Sequence, residues 1–516
     1  MNFFLKTLTA LLLSLCILLI SSCDDKDDVV EELVIQPSMT FFAFLKEYNS
    51  QLKTDIIIDV SKGDTVVAFI PSLKVDSLVA SFDGNFVVVR VGDTEQVSNA
   101  TINDFNNPVT YTIIDENGRI KQLTFLITGY NGLPKIDINT DGSSPIVSKQ
   151  EYVSATVHIG NCPVYGVLDA PCGIKGRGNF SWAGYPKKPY HLKLNQKESV
   201  FGFPSNKDWI LLAEYTDKSL LRTAFMFGFS EAVQMEWTPR YQFVELYIND
   251  DYQGVYILTE QVERAKGRVN VEDNGFIIED DNHWSDEPLY FQTDLLRNYY
   301  TFKYPKSINI NVGDLKYKFI SSFMNNLESE LVKISMGKES HYYDYIDIEC
   351  FAKWYIIMEL TGNYDPNLFY TLATPNSLLK ASPVWDAEWS LGLAVIDNRI
   401  ERTWKLPPFL PQVESFVWKN EKMFSYLLQD RIFKNKLKEL WSKYKSNIAN
   451  VRWKIKSQAE TLSYAQKDNF VKWPVLGQFY SAILVSFDNW EDETKYCISF
   501  FDKRFAWFDN YISKLE

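Results

Sequence analysis

Two acidic segments on either side of a predicted hairpin constrain this chain more than any other feature of its sequence. The first is residues 363–367 (NYDPN), and the second is residues 383–392 (PVWDAEWSLG). Between them, the β-type runs 368–373 and 378–381 flank a TPNS turn, which predicts a strand pair. One acidic loop therefore precedes the hairpin and another follows it. Phosphoryl transfer needs such an arrangement, with one carboxylate for the attacking hydroxyl and another for the metal ion on the phosphates.

Length and composition predict a large globular protein. The chain has 516 residues, of which 46% are hydrophobic and 15% aromatic, and this length allows roughly two or three domains. The net charge of −13 argues against a nucleic-acid partner, because binding to a phosphate backbone needs a basic face. The chain has only 4 histidines and no C-x-x-C pair, which argues against a zinc site.

Residues 1–22 are typical of a signal peptide. They contain one basic residue, Lys6, and an apolar run over residues 11–20 that is too short for a transmembrane helix. The LISSC sequence that ends this region resembles a bacterial lipoprotein signal, and the resemblance implies that Cys23 becomes the lipidated first residue of the mature chain. A lipid on Cys23 would hold a soluble body at a membrane surface. An ordinary secretory signal is the alternative.

An acidic run follows Cys23. Residues 24–28 read DDKDD, and a run of like charges is typical of a solvated tether, here residues 23–35. Such a run directly after the cysteine also resembles the surface-export signal of Bacteroidetes lipoproteins. We therefore expect a lipid-anchored protein of the cell envelope, on the outer membrane, with exposure at its outer face as a further option. In an exported chain, Cys162 and Cys172 could bridge a short loop or remain buried free thiols.

Residues 36–131 are predicted to form an all-β module. Runs rich in β-branched residues alternate with turn sequences, at a spacing that predicts a β-sandwich. These runs are residues 55–60, 65–70, 86–91, 109–114 and 122–128. The segments 41–49 and 103–111 resemble the immunoglobulin-like modules at the front of many Bacteroidetes surface lipoproteins. The module shows no catalytic constellation in its sequence, so we expect it to act as a spacer or as a glycan or protein binder.

The linker 131–134 (NGLP) leads into the second predicted domain, residues 135–512. Its first candidate site is the segment 173–182 (GIKGRGNFSW). The glycines would let the backbone approach an anion closely, and Lys175 and Arg177 would supply positive charge. A glycine-rich turn between two strands is the alternative.

A strand with several lysines is predicted at residues 186–194 (PKKPYHLKL). Kinases place a phosphate-contacting lysine on such a strand, after a glycine-rich loop. Lys188 is the first candidate. Lys193 is the second, since its odd spacing from Lys188 puts it on the other face of the strand. For each lysine, the alternative is an exposed side chain that keeps a strand edge soluble.

The elements after this strand follow a kinase-like order. A helix is predicted to run to about residue 235, with Asp217 or Ser219 as its cap. A hairpin at residues 242–259 then leads to Glu260. The order of glycine loop, lysine strand, helix and hairpin matches a protein-kinase small lobe, and on that analogy the connector from Glu260 to Val262 would lie near the adenine. For Glu260, the alternative is a salt-bridged strand end. Further helices are predicted at residues 312–334, at residues 345–361 and over most of the chain after residue 392.

Several motifs between residues 136 and 510 occur in the order seen in the CotH family, and this part of the chain resembles that family of spore-coat-protein-H-like atypical kinases. The motifs are GRGNFSW (176–182), KKPY (187–190), DKSLLR (217–222), YINDDYQGVY (247–256), Glu260, NYD (363–365) and VWD (384–386). The resemblance implies a multidomain chain whose second part is an α+β, two-lobed, kinase-like domain with a helical C-terminal part. It also implies phosphate transfer from ATP to a protein hydroxyl, with Mg²⁺ or Mn²⁺.

The resemblance also implies roles for individual residues. Asp365 matches the catalytic aspartate, and Asp386 matches the metal-binding aspartate. Asn367 matches the asparagine after the catalytic aspartate, at a short spacing that contains Pro366. Glu388 stands where the family usually has a second aspartate. Glutamate also ligates metals, but its longer side chain changes the geometry.

The leading hypothesis is an envelope-anchored kinase that acts on a serine or threonine of a surface or envelope protein. Asp365 would accept or orient the hydroxyl proton, and Asp386 with Glu388 would hold the metal. Lys188 and Arg177 would neutralise phosphate charge. The alternative is a catalytically inactive, kinase-fold lipoprotein for surface binding or adhesion. A glycosidase that uses Asp386 and Glu388 fits less well, because these two residues lie at i and i+2 and no second distant carboxylate motif occurs in the sequence.

Overall fold

The computed structural model describes residues 36–516, except for residues 53–54, 62, 71, 73, 130–131, 161–165, 394–412, 415, 481–482 and 484. The predicted signal peptide, the acidic tether, Cys23 and Cys162 lie outside the described residues. Cys172 is a buried free thiol, as are Cys350 and Cys497. Among the described helices, none combines the length and hydropathy needed to cross a membrane.

The N-terminal region is built from short strands. In the described residues these are β1 (Ser38–Phe44), β2 (Ile56–Ile57), β3 (Thr65–Ile70), β4 (Leu78–Val79), β5 (Ser81–Asn85), β6 (Val88–Val91), β7 (Thr94–Glu95), β8 (Ile102–Asn103), β9 (Val109–Ile114) and β10 (Ile120–Gly129). Two main sheets have the orders β2-β1-β5 and β3-β10-β9-β6-β7, and β4 pairs with β8. The pairing of β3 with β10 is parallel, whereas the other pairings are antiparallel.

These two sheets share one hydrophobic core. Alternate residues of β9 (Val109, Tyr111 and Ile113) are buried, which is the period expected of a strand with one inward face. Phe42 of β1 stacks on Phe125 of β10, with ring centroids 4.0 Å apart, and Tyr111 packs edge-on against both rings. Because β1 and β10 belong to different sheets, this cluster joins them. The predicted β-rich N-terminal region is thus confirmed, with a core of its own.

The next part of the chain forms a closed barrel. Its strands are β11 (Lys135–Thr140), β12 (Val153–Gly160), β13 (Leu168–Gly176), β14 (Tyr190–Glu198), β15 (Asn206–Leu212), β16 (Tyr241–Ile248) and β17 (Asp251–Glu260). Their order is β11-β12-β13-β14-β15-β17-β16, and parallel pairing of β11 with β16 closes the barrel. Ile136, Ile174 and Leu192 are among the side chains buried in its interior core. The predicted order of glycine loop, strand, helix and hairpin is present here.

The lysine-bearing strand begins later than the sequence predicts. Strand β14 starts at Tyr190, so Lys187 and Lys188 precede it. Pro186 and Pro189 explain the difference, since proline has no N–H to donate to a strand ladder.

A second sheet follows the barrel. Its strands are β18 (Phe276–Asp280), β19 (Tyr290–Gln292), β20 (Tyr299–Tyr304), β21 (Leu368–Leu372) and β22 (Lys380–Ala381), in the order β19-β20-β18-β21-β22. The predicted hairpin is confirmed, because Tyr370 pairs with Ala381 and Thr371 with Lys380. In an antiparallel pair, the start of β21 and the end of β22 lie at the same end. The two acidic segments therefore leave the hairpin side by side.

Helices lie between and after these strands along the chain. The described helices are α1 (Phe180–Gly184), α2 (Arg222–Ala232), α3 (Leu315–Ser335), α4 (Ile348–Thr361), α5 (Phe424–Leu427), α6 (Arg431–Lys472) and α7 (Trp490–Ser513). Helix α6 is 42 residues long and contacts α2, α4, α7 and strand β17, so it runs along both the barrel and the helical part. Asp430 caps its start by accepting a hydrogen bond from the Ile432 N–H at 2.6 Å. The predicted helical C-terminal part is thus confirmed.

A fully buried ion pair joins the start of α2 to the second acidic segment. Asp217 and Arg222 are both 0% exposed, and the Arg222 guanidinium pairs with the Asp217 carboxylate. Asp217 also accepts a hydrogen bond from the Arg222 N–H at 2.8 Å, so it helps to cap α2 from outside the helix. Nε of Arg222 donates to the carbonyl of Ser390 at 2.8 Å. The pair thereby links the connection after β15 to the loop after β22.

We expect Asp217→Asn to lower the free energy of unfolding by about 3–5 kcal/mol, because it leaves the Arg222 charge buried without its partner. Urea unfolding followed by tryptophan fluorescence measures this loss. The matched control is Asp251→Asn, which removes a partly exposed ion pair with Lys472. It should cost about 1 kcal/mol or less. Equal losses in the two variants would contradict the role of the buried pair.

Candidate active site

Asn363 holds the two acidic loops together. Helix α4 ends at Gly362 in the left-handed conformation, with φ 55°, which turns the chain into the first loop. The Asn363 side chain accepts a hydrogen bond from the Asp365 N–H at 3.2 Å and donates one to the Asp386 carbonyl at 2.6 Å. Its own carbonyl accepts a hydrogen bond from Nε1 of Trp418 at 2.8 Å. One buried residue therefore sets the separation of the two candidate aspartates.

Asp386 has an uncommon backbone conformation. Its φ of 64° lies in the left-handed region, which aspartate tolerates better than bulky side chains do. Its neighbours Trp385 and Ala387 are buried, whereas Asp386 is exposed. Strained backbone of this kind persists where the surroundings enforce it, and it clusters at functional positions. The hydrogen bond from Asn363 is one such constraint.

The two acidic loops line a cleft of about 420 Å³ that the barrel also lines. The barrel side includes the glycine-rich loop, the segment after β15 and the connector after β17. Most of the residues predicted from sequence as functional meet in this cleft. They are Arg177, Asp365, Asn367, Asp386 and Glu388.

Negative charges crowd together in this cleft. Burial raises the pKa of Asp386 to about 7, and the carboxylates of Asp365 and Glu388 add to this effect. The Arg177 guanidinium acts in the opposite direction. Burial also raises the pKa of Asp365, while the nearby basic side chains of His283 and Lys422 oppose the shift. Asp386 is exposed to the cleft, but the surrounding protein solvates its negative charge less well than water does. A bound cation would offset this cost of holding the charged form.

The Arg177 guanidinium donates no hydrogen bond within the described residues. It lies 5.5 Å from the ring centroid of Trp385, at the edge of the cleft. Burial lowers the pKa of Arg177, and nearby carboxylates oppose that shift. The next residue, Gly178, has φ 80°, and a side chain there would collide with Oγ of Ser181. The loop can therefore offer an unpaired cation to an anion in the cleft.

Lys188 and Lys193 do not line the cleft, which disagrees with the prediction that one of them contacts phosphate. Nζ of Lys188 donates to the carbonyl of Trp182 at 2.6 Å, within the glycine-rich segment. Lys193 is exposed on the barrel surface, 3.9 Å from the carboxylate of Asp208. The prediction assumed that residue 188 lies within the strand, and the two prolines prevent this.

Lys187 lines the cleft in place of Lys188, but its ammonium group bonds elsewhere. Its Nζ donates to the carbonyl of Val255 at 2.5 Å and to Oδ1 of Asn469 at 3.0 Å. Burial lowers the pKa of Lys187 to about 7. This lysine therefore ties the glycine-rich region to β17 and α6.

Glu260 is fully buried and forms ion pairs with Arg240 at 3.0 Å and with Arg268 at 3.7 Å. Its placement matches the alternative of a salt-bridged strand end, and Glu260 does not line the cleft. The next two residues, Gln261 and Val262, do line it. The predicted connector is thus at the cleft, but its carboxylate points into a structural ion-pair cluster.

Asn367 and Glu388 line the cleft and also bond to protein groups. Nδ2 of Asn367 donates to the carboxylate of Glu279, which pairs with Lys303 at 2.8 Å. Oε1 of Glu388 accepts hydrogen bonds from the N–H and the hydroxyl of Thr216, at 2.6 and 2.5 Å. An amide oxygen and a carboxylate have further lone pairs, so both residues can still bind a ligand.

The oxygen-rich donor set of the cleft fits Mg²⁺ or Mn²⁺. Within the described ranges, no three histidine, cysteine, aspartate or glutamate side chains converge on one metal position. Mg²⁺ does not need such a cage, because it commonly uses one or two carboxylates and completes its shell with water and phosphate oxygens. Asp386, with the amide oxygen of Asn367 or the carboxylate of Glu388, satisfies that requirement.

Sequence reasoning missed Asn363 as a link between the loops and Glu214 as a carboxylate of the cleft. Asn363 is part of the NYD motif, so its proximity to Asp365 could have drawn attention to it. Glu214 has no such signal, because it is a single acidic residue after β15. Only the packing of the barrel against the acidic loops brings it to the site.

A family model described as CotH kinase protein matches residues 174–508. No curated protein matches the chain. Because the matched region covers well over half of the sequence, the chain belongs to the CotH kinase family. Both acidic loops and the glycine-rich loop lie within the matched residues.

We expect Asp386→Asn to change the pH dependence of stability. The fold raises the pKa of Asp386 to about 7, above the value of about 4 in an unfolded chain, so the folded state holds this proton more tightly. Wild-type stability without divalent cations should therefore fall as the pH rises from about 4 to 7. The variant lacks this loss, so its melting temperature relative to wild type should increase from pH 5 to pH 8.

Thermal unfolding by circular dichroism in EDTA checks this expectation. The control is Asp251→Asn, because the ion pair with Lys472 lowers the pKa of Asp251. Its melting temperature relative to wild type should instead fall slightly with rising pH. A constant difference between Asp386→Asn and wild type would contradict the raised pKa.

Proposed function

We propose that this protein is a metal-dependent kinase that transfers the terminal phosphoryl group of ATP to a serine or threonine hydroxyl of another protein. One observation supports this function above all. Asp365, Asp386 and Arg177 come from three separate parts of the chain, and they line a single cleft. They could supply a group for the attacking hydroxyl, a metal ligand and a cation for the phosphates, which are the main requirements of phosphoryl transfer.

Asp365 is proposed to orient the acceptor hydroxyl and to take its proton. Asp365 is exposed, and no group in the described ranges donates a hydrogen bond to its carboxylate. Burial by the surrounding protein raises its pKa above the usual value of an aspartate, which makes the carboxylate a stronger base. The bond between its N–H and Asn363 fixes the loop, so an incoming hydroxyl would meet a carboxylate that is already in place.

The nucleotide is proposed to lie between the glycine-rich loop and the connector after β17. Arg177 would bind phosphate oxygens, because its planar group of N–H donors matches their geometry. Leu212, Gln261 and Val262 line the cleft as well, and an apolar surface beside an amide suits an adenine ring. In this proposal the barrel would form a small lobe, and the part of the chain that carries the acidic loops would form a larger lobe.

Asp386 is proposed as the main ligand of Mg²⁺ or Mn²⁺, with Asn367 and Glu388 as further oxygen donors. A divalent cation, when bound, would neutralise charge on the phosphates. The Asn363 side chain fixes the main chain of Asp386 by a 2.6 Å hydrogen bond. The backbone that carries the carboxylate is therefore already in place before the metal binds. Because the pKa of Asp386 is about 7, protons and metal compete for this carboxylate near neutral pH.

A phosphotransfer assay tests this function, with radiolabelled ATP, Mn²⁺ and the soluble chain without its signal peptide. The wild type should label itself or a generic protein acceptor. Asp365→Ala and Asp386→Ala should lower the rate by roughly 10²–10⁴-fold, the range for loss of a general acid–base group. Arg177→Ala should also lower it, because the phosphates lose a cation. Lys193→Ala is the control and should keep the wild-type rate, since its side chain lies on the barrel surface.

Equal labelling by wild type and both aspartate variants would contradict the kinase function and favour the inactive binding protein. Loss of labelling in Lys193→Ala but not in Arg177→Ala would instead locate the phosphates at the barrel surface.

We further propose that the chain is a lipoprotein of the cell envelope and that its acceptor protein is at the surface or within the envelope. The signal-like residues 1–22, Cys23 and the acidic residues 24–28 support this localisation. The region of residues 36–131 is proposed as an immunoglobulin-like spacer, because its sheets have a hydrophobic core of their own.

We expect Cys23→Ser to abolish incorporation of a labelled fatty acid when the full chain is expressed in a bacterial host, because the lipid-bearing thiol is gone. The protein should also leave the membrane fraction. Cys16→Ser is the matched control, since Cys16 lies inside the predicted signal peptide and should not affect labelling. Fatty-acid label on Cys23→Ser would contradict the proposed anchor.

A further inference from the structure

Glu214 is a buried carboxylate of the cleft that has no role in the function proposed above. It is 5% exposed and lines the cleft. Its Oε1 accepts a hydrogen bond from the hydroxyl of Thr223 at 3.0 Å, whereas Oε2 is buried and has no hydrogen-bond partner in the described structure. A buried carboxylate oxygen without a partner is costly, so its presence calls for a ligand.

The backbone at Glu214 is also held in an uncommon conformation. Its φ of 48° lies in the left-handed region, where a long side chain is disfavoured. Glycine adopts this backbone conformation without steric strain. Glutamate at this position therefore combines local strain with an unsatisfied carboxyl oxygen, and strained residues cluster at functional sites.

Glu388 is held next to the segment that carries Glu214. Oε1 of Glu388 accepts two hydrogen bonds from Thr216, which follows Glu214 by two positions. Both side chains line the cleft, and the Glu388 carboxylate adds to the effect of burial in raising the pKa of Glu214. The ammonium of Lys187 donates hydrogen bonds to Val255 and Asn469, and none to either carboxylate is found in the described structure, although its charge interacts with both.

We propose that Glu214 binds a second divalent cation in the cleft, Mg²⁺ or Mn²⁺, and that Glu388 is a carboxylate shared between this ion and the one assigned to Asp386. Both ions prefer oxygen ligands, and a pair of carboxylates is enough when water or phosphate oxygens complete the shell. The unpartnered Oε2 of Glu214 is the oxygen that such an ion would satisfy. This second site rests on the proposed function in one respect, which is the identity of the nucleotide that would share the cation.

The proposal is tested by measuring how many Mn²⁺ ions the soluble chain binds in the absence of nucleotide. The electron paramagnetic resonance signal of free Mn²⁺ reports the unbound ion. The variant is Glu214→Gln, which keeps the size of the side chain and removes its charge. The matched control is Glu328→Gln, because Glu328 is equally buried but lies outside the cleft, where Thr293 and the Leu296 N–H satisfy its carboxylate. We expect wild type and Glu328→Gln to bind two Mn²⁺ per chain and Glu214→Gln to bind one.

Thermal unfolding gives a second readout that does not depend on activity. Without Mn²⁺, Glu214→Gln should melt at or above the wild-type temperature, because the amide carries no unpaired buried charge. Added Mn²⁺ should raise the melting temperature of the variant less than that of wild type. A variant with the wild-type Mn²⁺ stoichiometry and the wild-type Mn²⁺-induced shift would overturn the proposal.

The two proposals can fail separately. A wild-type chain that binds two Mn²⁺ but transfers no phosphate would contradict the kinase function and support the second cation site. An active kinase that binds one Mn²⁺ would overturn the second site and leave the proposed function intact.

Discussion

The cleft depends above all on the hydrogen bonds of one buried side chain, that of Asn363. It joins the main chains of Asp365 and Asp386, so the spacing of the two loops does not depend on their carboxylates. Arg222 acts in the same way when it donates to the Ser390 carbonyl from a fully buried ion pair. Because both contacts are made to the backbone, they fix the position of the acidic loops and leave the carboxylate oxygens available to ligands.

The acids of the cleft differ in whether they form an ion pair with a lysine, and this difference separates structural acids from candidate functional ones. Glu279 lies 2.8 Å from the ammonium of Lys303, and Asp280 lies 2.7 Å from that of Lys422. No such lysine pairs with Asp365, Asp386 or Glu214 in the described residues. A protein can crowd acids without such partners into one cleft only at a cost in stability, and a cation from solution is the simplest way to offset that cost. The charge distribution thus favours metal binding independently of any sequence motif.

The sequence could predict the parts of the site that local patterns determine. The hairpin between the acidic segments follows from two β-type runs and a turn, and antiparallel pairing then brings both aspartates to one end. Lys188 was misplaced because the flanking prolines shorten the strand, a local effect that the lysine pattern concealed. Glu260 and Glu214 could not be assigned, because their partners come from distant segments. Arg240 and Arg268 neutralise Glu260, whereas no basic side chain bonds to Glu214 within the described structure.

The closed barrel explains why the glycine-rich loop can act as a fixed part of the site. The family match begins at residue 174, within β13, so β11 and β12 lie before it. Yet β12 pairs with β13 along seven residue pairs, and β11 closes the barrel by pairing with both β12 and β16. Without these two strands, β13 and β16 would each have an open edge with unpaired backbone groups. Since Arg177 directly follows β13, the position of the cleft's unpaired cation depends on strands that the family motifs do not include.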